Sequence, residues 1–242
     1  MSGAGPIRSI EEIQALIRER SDLPVEQTEE IIRRRFQALP RRLVYAAQRW
    51  PLATERVLDV GCSYGHCLVH FGSGSVGLDN VAEHVAFCRS LGLDARLMDV
   101  ESSLAELDDE SFDAIWVSDI LEHLDAPRVL LRRLAPKLRP AGRLVLYMTV
   151  VPRSRLTRRL FGGRGFFDAD VHHYEFTLET ASYLVARAGF VVEEIALHTL
   201  PRPLERLKPL LAPFAPAVYL AARPDRAAEQ HALEAERRNR PS

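Results

Sequence analysis

Apolar positions recur at helical spacing through the first fifty residues. Ile10, Ile13, Leu16 and Ile17 form one stripe, and Ser9 with Glu12 stands at capping-box spacing at its start. A turn is predicted at Ser21-Asp22-Leu23-Pro24. A second stripe carries Ile31, Ile32, Phe36 and Leu39. Pro40 interrupts it, and a third helix is predicted toward Trp50-Pro51. Residues 1–54 thus read as an N-terminal helical cap.

From residue 55 the texture changes to short apolar runs closed by turns or acids. Arg56–Val60, Ser75–Asp79, Ala95–Met98, Phe112–Val117 and Arg143–Val151 read as five strands. The last is almost wholly apolar, as a strand covered on both faces should be. Helices are predicted from His66 to Phe71, Val81 to Leu91 and Ala126 to Leu138, the second stopped by Gly92. Strand and helix alternate at least four times. That pattern predicts an α/β, doubly wound, mostly parallel sheet. Residues 152–176 read as an irregular loop, placed as a lid on the acceptor side. Leu178–Ala188 is a predicted helix, capped by Thr177 and stopped by Gly189. Phe190–Leu200 and Ala217–Ala222 read as strands that can pair antiparallel, because the proline-rich Pro201–Pro216 holds no long helical crossover. The domain of interest is 55–223, and 224–242 is a polar tail without an apolar stripe. No internal repeat is present.

The first strand carries candidate chemistry. It ends in Asp59-Val60-Gly61-Cys62-Ser63-Tyr64-Gly65, a glycine turn predicted to open a helix. Such a turn presents backbone N–H groups and positive partial charge to a ligand. Asp79 ends the second strand, 18 residues after Gly61, where a carboxylate can accept from a ribose diol. Turn and acid together indicate a nucleoside ligand, with a dinucleotide and S-adenosylmethionine (SAM) both open. Asp99 ends the third strand, where a carboxylate can accept from an adenine amino group while Met98 and Val100 flank the ring. The cofactor-binding candidates are Asp59, Gly61, Cys62, Ser63, Gly65, Asp79, Asn80, Met98, Asp99, Val100 and Ser118.

These fragments, with Ser111–Leu124, Leu138-Arg139-Pro140-Ala141-Gly142-Arg143-Leu144, His172–Thr177 and Ala188-Gly189-Phe190, resemble the class I SAM-dependent methyltransferases, in particular the small-molecule group. The resemblance covers roughly residues 55–222. It implies a Rossmann-like sheet of seven strands with an antiparallel last strand, and SAM as cofactor. Two departures are visible: Ser63 stands at the middle glycine of the loop and Ala141 at a glycine of the later turn. A dinucleotide fingerprint would need glycines at positions 63 and 66, which hold Ser63 and His66, so an NAD-dependent oxidoreductase is disfavoured.

Composition adds boundaries. The 242 residues carry a net charge of −1, which lacks the basic signature of nucleic-acid binding. A nucleic-acid or protein methyltransferase and a non-catalytic SAM-binding protein remain as alternatives. Three cysteines, Cys62, Cys67 and Cys88, predict a reduced chain. With no apolar signal core at the N-terminus and no membrane-length run, the expected location is the cytoplasm. Charge is uneven: ten Lys or Arg and no Asp or Glu lie from Arg132 to Arg164. Within 153–167 five arginines interleave with Leu156, Leu160, Phe161, Phe166 and Phe167. That mixture suits a lid over an anionic or apolar acceptor, or contact with a membrane surface. Methyl transfer to oxygen or nitrogen requires loss of an acceptor proton, and His123, His172 and His173 are the candidate bases. Asp168, Asp170, His172 and His173 do not have the spacing of a strong metal motif, and no metal is assigned. The predicted activity is SAM-dependent methylation of a small molecule, with O-methylation favoured.

Overall fold

The computed structural model describes residues 7–102, 104–151, 172–197, 207–211 and 214–226. Among the described residues seven strands form one sheet: β1 (Val57–Val60), β2 (Val76–Asp79), β3 (Asp94–Leu97), β4 (Phe112–Ser118), β5 (Leu138–Thr149), β6 (Phe190–Leu197) and β7 (Ala217–Pro224). Their order is β3-β2-β1-β4-β5-β7-β6. β1 to β5 pair in parallel, and β7 runs antiparallel between β5 and β6. The order reverses at β1, which lies between β2 and β4. A doubly wound sheet opens its ligand crevice at that point, beyond the carboxyl ends of the strands.

Alternation along the strands sorts the two faces. Leu58, Val60, Leu78, Ile115 and Val117 point to a core shared with α5 (Pro127–Leu134) and α6 (Leu178–Arg187). Val57, Ala114, Trp116, Val145 and Tyr219 point the other way, onto Leu43, Ala46, Trp50 and Leu52. The N-terminal cap supplies that second layer. It comprises α1 (Ile10–Arg20), α2 (Val25–Arg35) and α3 (Arg41–Ala47). The Ser9–Glu12 capping box is formed, and Thr177 caps α6. Ile13, Ile17, Ile32 and Phe36 pack onto Phe87 and Leu91 around α4 (Ala82–Ser90).

Three predicted boundaries differ from the structure. The helix expected from His66 to Phe71 is absent; only a 3₁₀ turn, Leu68–His70, stands there. Six residues separate Gly65 from Gly72, under two helical turns, too few to recover the cost of nucleation. Leu68, Val69 and His70 are all buried, so this turn has no solvent face. Next, α5 ends at Leu134 rather than Leu138 and passes into a 3₁₀ turn, Ala135–Lys137. Pro136 lacks the N–H that another helical turn needs. Consequently β5 starts at Leu138, and its register shifts so that Phe112 faces Leu138 while Ala114 faces Arg143. Finally, β3 ends at Leu97, and Met98 to Val100 lie beyond it. The residues 152–171, 198–200 and 227–242, and with them most of the predicted lid and tail, lie outside the described residues; of the predicted tail, Pro224 still belongs to β7.

Candidate active site

A cavity of about 460 Å³ opens at the carboxyl ends of β1, β2 and β4. Gly61, Ser63, Leu78, Asp79, Asn80, Met98, Asp99, Val100 and Ser118 line it, together with Arg42, His66, Glu101, Asp119, Ile120, His123 and Leu124. Eight of the predicted cofactor residues therefore line one cavity. The other three, Asp59, Cys62 and Gly65, are buried beneath it and are absent from the lining.

The loop after β1 is held from below. Gly61, Ser63 and Gly65 all have positive φ, at 75°, 49° and 76°. Glycine takes that conformation freely, whereas Ser63 takes it at a cost. A Cβ on Gly61 would collide with Ile120, whose Cγ1 would stand 2.9 Å away. Gly61 and Cys62 both donate N–H to the Leu78 carbonyl, at 2.8 and 2.9 Å. With no α-helix after the loop, the expected helix-terminus charge is missing; the site has only the loop N–H groups and nearby side chains.

Asp79 organises the acid side. It accepts from Ser63 N at 2.8 Å, from Val81 N at 2.9 Å and faces His84 Nδ1 at 3.1 Å. A carboxylate offers about four lone-pair sites, so acceptor capacity remains toward the cavity. Asp99 Oδ1 accepts from Glu101 N at 2.9 Å, an Asx turn that presents the carboxylate at the rim. Met98 N donates to the Asp79 carbonyl at 2.9 Å, which carries the β2–β3 pairing one step further. Ser118 Oγ is buried with no hydrogen-bond partner.

Beneath the loop, Asp59 is 2% exposed and its Oδ2 has no partner. Burial pushes its carboxyl up to about 7, with Arg42 opposing and Asp79 reinforcing the rise. Arg42, on α3, lies in the cavity wall. It donates to His66 Nε2 at 2.8 Å, approaches Asp119 Oδ2 at 3.9 Å, and its Nε is buried without a partner. Burial, then Arg42, pushes His66 down to about 4, so His66 is neutral at pH 7. Burial raises the Asp119 carboxyl, with Arg42 opposing, and φ is 51° at that residue. Arg42, His66 and Asp119 were not singled out from the sequence. Asp119 follows directly on Ser118 at the end of β4, a position that could have drawn notice. Arg42 is one of many cap arginines, and no spacing distinguishes it.

The three candidate bases separate. His123 lines the cavity, and the His172 ring stands edge-on to it at 4.7 Å between centroids. Glu122 joins them: one ligand atom from each of Glu122, His123 and His172 lies within 4.8 Å of the others. Glu122 is buried, its Oε2 unpartnered, and burial raises its carboxyl. One carboxylate and two imidazoles make a proton-handling group, and their donor set would also suit a divalent transition metal. His173 turns elsewhere: its Nδ1 faces Asp125 at 3.1 Å, and its backbone N–H donates to the Glu122 carbonyl at 2.7 Å. Asp168 and Asp170 lie outside the described residues.

Comparison with known proteins decides the family. A family profile described as a methyltransferase domain matches residues 31–195, more than half of the chain. The chain belongs to the class I SAM-dependent methyltransferases. The match begins within α2, so it includes the segment that carries Arg42. The chain is 37% identical over 116 residues to a ubiquinone biosynthesis O-methyltransferase of Xanthomonas oryzae pv. oryzae, covering 44% of the chain and 48% of that relative. The chain thus spans about half the length of the curated relatives it first matches. A relative of the same name from Xanthomonas euvesicatoria is 29% identical over 178 residues, covering 65% of the chain and 71% of the relative. Among solved structures, a SAM-dependent methyltransferase from Archaeoglobus fulgidus superposes with a TM-score of 0.54 at 22% identity, covering 76% of this chain and 94% of its own. The cyclase SpnF superposes at 0.57 with 22% identity, covering 78% and 82%. Those two likenesses show the fold alone, which hosts more than one chemistry. Among the described residues no helix is long and apolar enough to cross a membrane.

Proposed function

We propose that the cavity binds SAM and that the protein transfers its methyl group to a hydroxyl oxygen of a small molecule. The observation that carries this reading is convergence: Gly61, Ser63, Asp79, Met98–Val100 and Ser118 line one cavity. O-methylation is supported by the names of the relatives, and a small acceptor by the modest cavity.

Several of the lining residues would each take a part of the cofactor. Asp79 would accept from the ribose diol with its remaining lone pairs. Leu78, Met98 and Val100 would flank the adenine, and Asp99 would accept from its amino group. Arg42, with loop N–H groups, would take the methionyl carboxylate, and its unpartnered Nε is consistent with a missing anionic partner. Ser118 Oγ would find its partner among the polar atoms of the ligand.

Bound SAM supplies a methyl group already activated as a sulfonium. The protein's own contribution is alignment and exclusion of water. Asp119, Ile120, His123 and Leu124, which follow the end of β4, also line the cavity and would seat the acceptor. A ring nitrogen of His123 would receive the acceptor's hydroxyl proton. His172 and the buried Glu122 carboxylate stand close enough to stabilise the resulting imidazolium.

Titration calorimetry with SAM, S-adenosylhomocysteine (SAH) and NAD tests the cofactor assignment. Binding of SAM and SAH, with none of NAD, is the expected result; binding of NAD alone would overturn it. Transfer of labelled methyl to a panel of phenols, carboxylic acids and amines then tests the acceptor class. Label appearing only on amines would refute the oxygen assignment.

A further inference from the structure

Ser63 is the point at which the cofactor loop departs from glycine, and both ends of this residue are tied down. Its N–H donates to Asp79 Oδ2 at 2.8 Å. Its carbonyl points inward, where the Cys88 thiol donates to it at 3.3 Å and the Cys62 thiol lies at 3.7 Å. Both cysteines are buried. Hydrogen bonding to Cys88 and burial raise the Cys62 thiol, so it stays a neutral S–H donor. Two glycines make room for the sulfurs. A Cβ on Gly65 would come within 2.9 Å of Cys88 Sγ, and one on Gly77 within 2.7 Å of Cys62 Sγ.

The geometry of the peptide gives this contact a purpose. A serine at φ 49° sits where L side chains are strained, so this conformation persists only where its neighbours hold it. Rotation of the Ser63–Tyr64 peptide would turn the Ser63 carbonyl outward, toward the wall proposed to take an anionic carboxylate. Holding the carbonyl on the thiols keeps the trans peptide in the opposite sense, with the Tyr64 N–H directed away from the protein interior.

We propose that Cys88, assisted by Cys62, is a positioning residue of the cofactor loop: its thiol fixes the Ser63 carbonyl and so lets a non-glycine residue present its N–H to Asp79. This inference rests on the reading of the cavity as the SAM site. It predicts a specific coupling, because glycine at position 63 needs no such restraint.

The test is SAH binding by calorimetry on the full chain, in Cys88→Ala, Cys88→Ser, Ser63→Gly and the double variant Ser63→Gly/Cys88→Ala. Cys88→Ala should weaken SAH about tenfold, in keeping with one lost hydrogen bond. Cys88→Ser, which keeps a donor, should restore affinity to within about twofold of wild type. In the Ser63→Gly background Cys88→Ala should cost no more than about twofold, since the two sites are coupled. In turnover, KM for SAM should rise while kcat at saturating SAM holds. Should alanine prevent folding, Cys88→Val, somewhat larger than cysteine and without the donor, is compared between the Ser63 and Ser63→Gly backgrounds, so that its added bulk cancels. Undiminished affinity in Cys88→Ala would overturn the proposal, as would an equal loss in both backgrounds, which would mean packing alone. Wild type that binds SAH beside an indifferent Cys88→Ala refutes only the thiol restraint; wild type that fails to bind SAH removes the cofactor site as well.

Discussion

The buried carboxyl of Asp59 makes the protein's stability depend on pH in a way that one substitution should remove. Below pH 3.8 the group is protonated in the folded and unfolded chain alike, and it contributes no pH dependence. As pH rises, the unfolded chain releases its proton first. The folded chain holds its own until about pH 7, so unfolding is progressively favoured across that window and the loss is complete above it. At about 1.4 kcal/mol per pH unit the full loss is ~4 kcal/mol, of which roughly 2.5 kcal/mol falls between pH 5 and pH 8. Asp59→Asn keeps the shape and cannot ionise. Its own hydrogen-bonding offset is constant with pH and drops out of the comparison. Urea unfolding of both proteins at pH 5, 6, 7 and 8 should show the variant gaining on wild type as pH rises, then levelling. A difference that is flat with pH would refute burial as the controlling effect. A difference that shrinks would mean that attraction to Arg42 outweighs burial, the reverse of the order inferred from the structure.

The cavity wall yields three further expectations. Arg42→Ala should weaken SAH about 10- to 100-fold by calorimetry, the range for a charge-assisted hydrogen bond, and Arg42→Lys should recover part of that. Gly61→Ala should destabilise the chain by about 1–3 kcal/mol in urea and weaken SAH, because backbone strain adds to the collision with Ile120. Gly189→Ala, where nothing stands within 4 Å of the new methyl, isolates the backbone contribution and should cost less. His123→Asn should lower kcat about 10²- to 10⁴-fold with SAH affinity unchanged, while His173→Asn should stay within a few-fold of wild type, as stopped-time assays with labelled SAM would show.

How much of this was legible in the sequence follows from what each residue needs of its neighbours. Strands β1, β2 and β4 were readable because burial on both faces demands short apolar runs, and the acid ending β2 announces itself against them. The turn Gly61–Gly65 was readable because positive φ selects glycine. The same local logic failed where length decided. His66–Phe71 has helix-forming residues, yet two flanking glycines leave it room for only a 3₁₀ turn. It also could not rank Asp59, Cys62 and Gly65 against Gly61 and Ser63. Motif membership looks identical for all five, and only the fold decides that the first three support the loop from beneath. Arg42 lay furthest from reach. It stands 19 residues before Gly61, in a cap with several other arginines, and its role depends on where α3 docks.

That docking is determined by the far end of the chain. Without an α-helix between β1 and β2, one face of the sheet lacks its usual cover, and α3 with Trp50 and Leu52 fills the gap. The anchors come from the terminal strands. Tyr219 on β7 donates its hydroxyl to the Arg42 carbonyl at 2.9 Å and stacks on Tyr45 at 5.0 Å between ring centroids. Arg49, its side chain 5% exposed, pairs with Glu194 on β6 at 2.5 Å. A contact spanning 177 residues of sequence thus holds the backbone of the residue whose guanidinium enters the cavity. The antiparallel β7 does more than complete the sheet. By running back between β5 and β6 it brings Tyr219 under α3, and so sets where the cation at the cavity stands relative to the glycine loop. The short β1–β2 connection and the helical cap are therefore two sides of one arrangement. The loop gave up its own helix and that helix's terminal charge, and α3 returns both a covering layer and a full positive charge at the same cavity.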